Sequence, residues 1–82
     1  MHIDVLIRMA NQIGGFFEAM PDREEALEGV ASHIRRFWEP RMRRELLAHL
    51  DAAGDDSGLS SMVVEAVRVH REALVPAVVD GR

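Results

Sequence analysis

The sequence predicts a small all-α protein, a bundle of about four short helices with a tight proline corner between the second and third helices. Two observations predict this fold. Apolar residues recur at helical spacing along most of the chain, and capping residues and prolines stand where that spacing breaks. The hydrophobic content is 48% but only 5% of residues are aromatic, which fits helices built on Leu, Val, Ile, Ala and Met.

The first predicted helix covers residues 4–20, with Asp4 as its cap or first-turn acid. Its apolar sector is about 200° wide, whereas an ordinary surface helix needs only a stripe of at least about 100°. We therefore expect this helix to be central in the fold or to be covered on a second side by a partner. Gly14 and Gly15 each weaken the helix by about 1 kcal/mol relative to Ala, and close approach of another backbone would compensate.

The second predicted helix covers residues 23–38. Asp22 caps it and Glu25, three residues later, completes a capping box. Helical angles place Phe37 in the core, together with Ile13 and Phe17 of the first helix. Trp38 lies at the edge of the apolar stripe and next to the break, so a core position and a surface position are equally compatible with the pattern.

Glu39-Pro40 ends the second helix, and Pro40 suits the first position of a third helix that runs to about residue 53. Residues 54–58 form a loop by composition. Ser60 caps a fourth helix that continues to Pro76, with Leu59 placed to contact Val64. We expect residues 1–75 to be a single helical domain and residues 76–82 to be a frayed tail.

The length and composition limit the possible functions. A chain of 82 residues has a thin core, and without cysteine it has neither a disulfide nor a thiolate metal site. A partner is the remaining source of extra stability. The N-terminus lacks the pattern of a secretory signal and no apolar run approaches the roughly 20 residues of a membrane span, so we expect a cytoplasmic protein that does not contact membranes.

The ten basic residues are all arginine, and five of them lie within residues 35–44, between two acidic segments. The net charge of −4 argues against a general nucleic-acid-binding protein. Two helices that meet at a short arginine-rich turn still leave a small helical DNA-binding regulator as an alternative, although no Asn or Gln accompanies the arginines to bind bases. A homodimeric adaptor that pairs through the first helix is the other alternative.

The arginine-rich corner is the candidate protein-docking surface. Arg36, Arg41 and Arg44 are predicted to project into solvent, and Arg35 flanks the apolar stripe. Trp38 and Pro40 would give the corner a rigid apolar edge, and Arg and Trp are enriched at binding hot spots.

Arg43 lies inside the apolar sector of the third helix. A buried arginine needs an acidic partner. We therefore predict that it forms an ion pair with a carboxylate of this chain or of a partner.

Catalysis is not predicted. The chain has no glycine-rich phosphate loop and no cysteine nucleophile, and its serines lie in a loop, at a helix cap or within a helix. The four histidines are scattered, and although Glu45 and His49 could share a helix face, a metal site needs three or four ligands. We expect a chain that is not an enzyme and holds no metal or cofactor.

Two blocks of the sequence carry a family resemblance. Arg8-Met9-Ala10-Asn11-Gln12-Ile13 with Phe16-Phe17, followed by the block from His33 to Arg43, resembles the delta subunit of cytoplasmic NAD-dependent formate dehydrogenase. These small subunits accompany the molybdenum- or tungsten-containing enzyme of bacteria. The similarity covers residues 7–50 and continues more loosely through residues 58–60 and 64–67.

The resemblance implies an accessory subunit that binds the large alpha subunit and supports its assembly, stability or cofactor maturation. In such complexes the alpha subunit is expected to hold the bis(molybdopterin guanine dinucleotide) cofactor and iron–sulfur clusters. The beta and gamma subunits are expected to hold FMN and further iron–sulfur clusters. No catalytic residue is implied for this chain. The candidate protein contacts are Met9, Phe16, Arg35, Arg36, Trp38, Pro40, Arg41, Arg43 and Arg44.

Overall fold

Five α-helices make up the computed structural model, which describes residues 2–76. They are α1 (Ile3–Phe17), α2 (Arg23–Phe37), α3 (Pro40–Ala53), α4 (Ser61–Val69) and the single-turn α5 (Arg71–Leu74), and a 3-10 turn, Gly54–Asp56, follows α3. Only Trp38 and Glu39 separate α2 from α3. The predicted all-α bundle and its tight proline corner are therefore confirmed.

Capping side chains set the helix starts. Asp22 Oδ1 accepts hydrogen bonds from the backbone N–H groups of Glu24 (2.9 Å) and Glu25 (3.3 Å), as predicted for α2. Ser60 Oγ accepts from the N–H of Val63 at 3.4 Å and so caps α4, also as predicted. These caps satisfy N–H groups that have no partner within the helix.

Asp4 was predicted either to cap α1 or to lie in its first turn, and the structure shows the second. The cap is His2, whose Nδ1 accepts a hydrogen bond from the N–H of Asp4 at 3.2 Å. Asp4 lies in the first turn, where its negative charge interacts favourably with the positive end of the helix dipole.

Two predicted helix ends are wrong. The first helix ends at Phe17 rather than residue 20, because the chain turns there and the N–H of Met20 bonds to the carbonyl of Phe17. The fourth helix does not continue to Pro76 but breaks at His70, whose backbone (φ −110°, ψ 27°) is not helical. The break redirects the chain so that α5 packs on α2 and Leu74 becomes buried.

The core lies between α1, α2 and α4, with α3 packed along α1. Its fully buried large side chains come from every helix. Gly14 lets α1 and α4 approach closely, because a Cβ at this position would lie 2.8 Å from Val63 Cγ2 and 3.2 Å from Ser60 Oγ. The close approach of another backbone that was expected at the glycine pair is not what the structure shows: the atoms nearest to Gly14 belong to side chains, and Gly15 faces open space.

Polar contacts tie the ends of helices to one another. Arg23 at the start of α2 forms an ion pair with Glu65 of α4. Arg71 of α5 donates to both carboxylate oxygens of Asp51 in α3, at 2.9 and 2.7 Å. The first pair connects α4 to α2, and the second connects α5 to α3.

The predicted frayed tail falls mostly outside the described residues. Pro76 at its start is buried, and residues 77–82 lie outside the described range, so the tail and the domain boundary at residue 75 stay predictions. Among residues 2–76, no helix is long and apolar enough to cross a membrane.

Candidate protein-docking groove

An open groove of about 510 Å³ lies where the end of α2 and the start of α3 meet α1. Its walls are mainly apolar and aromatic side chains from these three helices. We call it the aromatic groove, and its lining residues are Met9, Gln12, Ile13, Phe16, Phe17, His33, Phe37, Trp38 and Met42.

Ring contacts run in a row along the groove. Phe16 and Phe17 meet edge to face, with centroids 5.1 Å apart and planes at 89°. Phe17 lies 6.5 Å from the ring of His33, which lies 4.8 Å from the ring of Phe37. Edge-to-face and tilted contacts at these distances are favourable for aromatic pairs, so the rings brace one another across α1 and α2.

The Phe17 ring packs against α2 at Gly29, where no side chain is in its way. A Cβ at Gly29 would lie 2.5 Å from two carbons of the Phe17 ring, which is closer than any real contact. The ring therefore occupies the space that a side chain on α2 would need. Gly29 thus allows the Phe17 ring of α1 to lie directly against α2.

Phe16 and Phe37 are the most exposed large hydrophobic side chains of the described chain, at 75% and 69%. They line the groove from different helices. Single exposed apolar residues are common on protein surfaces, but a contiguous apolar patch marks an interaction site. Phe16 and Phe37 therefore belong to one exposed apolar groove rather than being two isolated exposed residues.

The core prediction for Phe37 is wrong. Phe37 is the last residue of α2, and Trp38 then adopts an extended backbone (φ −95°, ψ 133°). Because the chain leaves the helical path there, the Trp38 ring turns into the core, where it is only 4% exposed. Trp38 completes the core and the groove wall, while Phe37 is left toward solvent.

The structure brings together three of the nine candidate contact residues. Met9, Phe16 and Trp38 line the aromatic groove.

The other candidate contact residues do not line the groove. Exposed positions near the corner are held by Arg36, Pro40, Arg41 and Arg44. Arg41 Nε lies 4.0 Å from Glu45 Oε1. Arg35 and Arg43 line a different cleft. The proposed contact role of these residues stays a prediction.

Sequence reasoning missed several lining residues, namely Gln12, Ile13, Phe17, His33, Phe37 and Met42. For the missed residues on α1, the available signal was the wide apolar sector of that helix, since an apolar sector wider than an ordinary stripe indicates a second contact surface. A second signal was the four-residue spacing of His33 and Phe37, which puts both rings on one face of α2.

Arg43 does not form the predicted ion pair with any carboxylate of residues 2–76. Its Nη1 donates to the backbone carbonyl of Leu74 at 3.5 Å, and its Nε is buried without a hydrogen-bond partner in this part of the chain. The physical reason is the break at His70, which brings the end of α5, rather than an acidic side chain, over α3. A pair with a partner's carboxylate stays a prediction.

The groove carries little charge itself. Among the lining residues within 2–76, His33 is the only titratable one. The exposed charged neighbours of lining residues along the chain are of both signs: Arg8, Arg36 and Arg41 are basic, and Glu18 and Glu39 are acidic.

Metal-ligating side chains are not grouped in residues 2–76, where no three His, Cys, Asp or Glu residues could hold an ion together. His49 Nε2 makes a 2.8 Å hydrogen bond with the backbone carbonyl of Ser57, which holds the loop after α3.

The fold and the groove define a small all-α domain with an exposed aromatic groove. A family model described as NADH-dependant formate dehydrogenase delta subunit FdsD matches residues 5–67. The chain belongs to this family, which confirms the resemblance in the sequence. The match includes α2, α3, nearly all of α1 and most of α4, and therefore every residue that lines the groove. Searches of curated proteins and of solved structures returned no match.

Proposed function

We propose that this chain is a non-catalytic accessory subunit of NAD-dependent formate dehydrogenase and binds the large molybdenum-cofactor subunit. Its role would be to support the assembly, stability or cofactor maturation of that subunit. Membership of the delta-subunit family supports a place in the complex. On this proposal the molybdenum or tungsten cofactor, iron–sulfur clusters and FMN belong to the alpha, beta and gamma partners, and the complex is cytoplasmic.

The observation that carries the proposal is the exposure of Phe16 and Phe37 in one groove. Burying one such ring removes it from water with a gain of about 1.5–3 kcal/mol. A chain of this size has a thin core, yet it leaves two of its three phenylalanines largely in solvent. A partner that covers the groove would recover that free energy.

On this proposal the occupant of the apolar groove is a helical segment of the large subunit. An amphipathic helix binds such a groove through apolar side chains at i, i+3 or i+4, and i+7. The exposed aromatic residues would supply most of the affinity.

The proposal is tested by co-expression with the large subunit and affinity capture. Replacing both phenylalanines, Phe16→Ala with Phe37→Ala, should weaken capture by at least about 2 kcal/mol, roughly thirtyfold in Kd. Val69→Ala is the matched control, because Val69 is 60% exposed but lies at the end of α4, away from the groove. Thermal unfolding of each variant checks that the fold is kept.

Three outcomes would contradict the proposal. The first is a wild-type chain that never co-purifies with the large subunit, and the second is a double variant that is captured as well as Val69→Ala. The third is a sedimentation coefficient that rises with concentration for the wild-type chain and not for the double variant, with no large subunit bound. That result would assign the groove to a homodimeric adaptor instead.

A second measurement distinguishes a role in maturation from a role as a permanent structural subunit. Deletion of the chain should lower the amount of cofactor-loaded large subunit and, with it, formate-dependent NAD reduction. If the chain acts only in maturation, enzyme that is already loaded should keep its activity after the chain is removed. If it is a permanent structural subunit, removal should lower the stability of the loaded complex.

A further inference from the structure

His33 gives the aromatic groove a side chain whose charge depends on pH. The half-buried imidazole ring of His33 lies between two phenylalanine rings, 6.5 Å from that of Phe17 and 4.8 Å from that of Phe37 between centroids. Imidazole is the ordinary side chain that gains a proton between about pH 8 and pH 5. The groove therefore contains one position where an apolar wall can become positively charged.

The other side chains that face His33 across the groove are uncharged. Within residues 2–76, α3 contributes Met42, and α1 contributes Met9, Gln12, Ile13, Phe16 and Phe17. The ion pairs in this part of the chain join other side chains, so no carboxylate there lies within 4.0 Å of the His33 ring nitrogens. A protonated His33 thus has no acid of the described chain to neutralise it.

The charged residues around the groove do not change this. On α2, Arg36 follows His33 by three residues and so lies on a neighbouring position of the helix surface, where its positive charge makes a second one less favourable. The charged neighbours of lining residues on the other elements are exposed and do not line the groove, namely Arg8, Glu18, Glu39 and Arg41.

A partner that covers Phe37 also shields His33 from water. Phe37 is 69% exposed, and the His33 ring is its direct neighbour in the row of rings. Once the groove is covered, the imidazole is surrounded by apolar and aromatic groups. A charge in such surroundings is unfavourable unless it is paired.

We propose that docking in the aromatic groove requires neutral His33, so that the partner is released as the pH falls. This inference rests on the proposed function, because the partner is the helical segment of the large subunit that occupies the groove. Docking and protonation are linked equilibria: docking expels the proton from His33 into solvent, and uptake of that proton weakens docking by the same factor. The partner segment accordingly meets His33 with an uncharged group and not with a carboxylate.

The first test measures capture of the full-length chain by the large subunit at about pH 8 and about pH 5.5. The ratio of the Kd at the lower pH to that at the higher pH should be about tenfold larger for the wild-type chain than for His33→Gln or His33→Phe. Titration of groups on the large subunit is common to all three chains and is removed by the comparison. The Phe variant also keeps a ring beside Phe17 and Phe37, so packing is retained.

His70→Gln is the matched control. His70 is also half-buried, but it lies at the break between α4 and α5 and does not line the aromatic groove. This variant should keep the pH dependence of the wild-type chain. Thermal unfolding of every variant at both pH values separates a change in docking from a loss of the fold.

A second measurement follows the proton itself. Calorimetry of binding at about pH 6.5, in two buffers with different enthalpies of ionisation, counts the protons that leave on docking. The wild-type chain should release more protons than His33→Phe, and His70→Gln should release as many as the wild-type chain.

Three results would overturn the inference. Equal pH ratios for the wild-type chain and both His33 variants would overturn it and leave the proposed function standing. Tighter wild-type docking at the lower pH, lost in His33→Gln, would show that a carboxylate pairs with the protonated ring. No capture of the wild-type chain at either pH would overturn this inference together with the proposed function.

Discussion

The side-chain oxygen of Asn11 accepts a hydrogen bond of 2.8 Å from the backbone N–H of Ser60, 49 residues further along the chain. The other end of the same amide donates to the carbonyl of Gly58 at 3.0 Å. Asn11 lies within α1, and the two backbone groups lie just before α4. One side chain therefore positions the start of α4 on α1 and satisfies two backbone groups that no helix or strand would satisfy.

We predict that Asn11→Ala lowers the free energy of unfolding by about 1–2 kcal/mol, because it removes both hydrogen bonds and leaves the partly buried Ser60 N–H without its acceptor. Gln12→Ala is the matched control, since Gln12 is the next residue on α1 and is exposed. Urea denaturation of both variants measures the difference. Equal midpoints for the two variants would show that the Asn11 bonds contribute nothing to stability.

The two adjacent glycines of α1 should respond in opposite directions to the same substitution. Gly15→Ala should stabilise the chain by up to about 1 kcal/mol, because Ala is the better helix former and no atom lies within 4 Å of the new Cβ. Gly14→Ala should destabilise it by about 1–2 kcal/mol, because the methyl group would overlap Val63 in the core. Thermal unfolding of both variants tests this, and a stabilised Gly14→Ala would show that α1 and α4 separate at little cost.

Much of the fold could be predicted because its signals are local. Asp22, Ser60 and Pro40 each act within one helical turn of their own position, and the structure uses each as predicted. The break at His70 could not be predicted in this way. It depends on how the chain after α4 packs on α2, which is a contact between distant segments.

The candidate site was predicted less well than the fold, for a related reason. Helical angles assign a face only while the backbone stays helical, and Trp38 is extended. The angle argument therefore placed Phe37 inside and left Trp38 undecided. Arg43 was correctly placed in the apolar sector, but its surroundings depend on α5, which arrives from 31 residues away.

The reversed positions of Phe37 and Trp38 lead to a direct test. Trp38→Ala should cost about 3–5 kcal/mol, which is a large share of the stability of a domain this small. Phe37→Ala should change stability by no more than about 0.5 kcal/mol, since the ring is mostly in solvent. If Trp38→Ala does not fold, Trp38→Phe provides a milder variant. Similar losses for Phe37→Ala and Trp38→Phe would show that both rings belong to the core.

The ion pair between Asp51 and Arg71 should make part of the stability pH-dependent. Hydrogen bonds from the Arg71 guanidinium hold the pKa of Asp51 below its ordinary value of 3.8, and burial opposes this only in part. The pKa of Arg71 is raised by the same hydrogen bonds. Because the Asp51 pKa is lower in the folded state than in the unfolded state, the pair stabilises the fold above the unfolded-state pKa. That contribution is lost as pH falls through the folded-state pKa.

We therefore predict that Asp51→Asn has a lower Tm than the wild-type chain at pH 7, and that the gap narrows once the pH falls below about 4. Both partners are about half exposed, so added salt should also narrow the gap at pH 7. Asp55→Asn is the control, since Asp55 is exposed in the 3-10 turn and has no ion pair among residues 2–76. A Tm gap between Asp51→Asn and wild type that is the same at pH 7 and pH 3 would mean that the carboxylate charge does not stabilise the contact between α3 and α5.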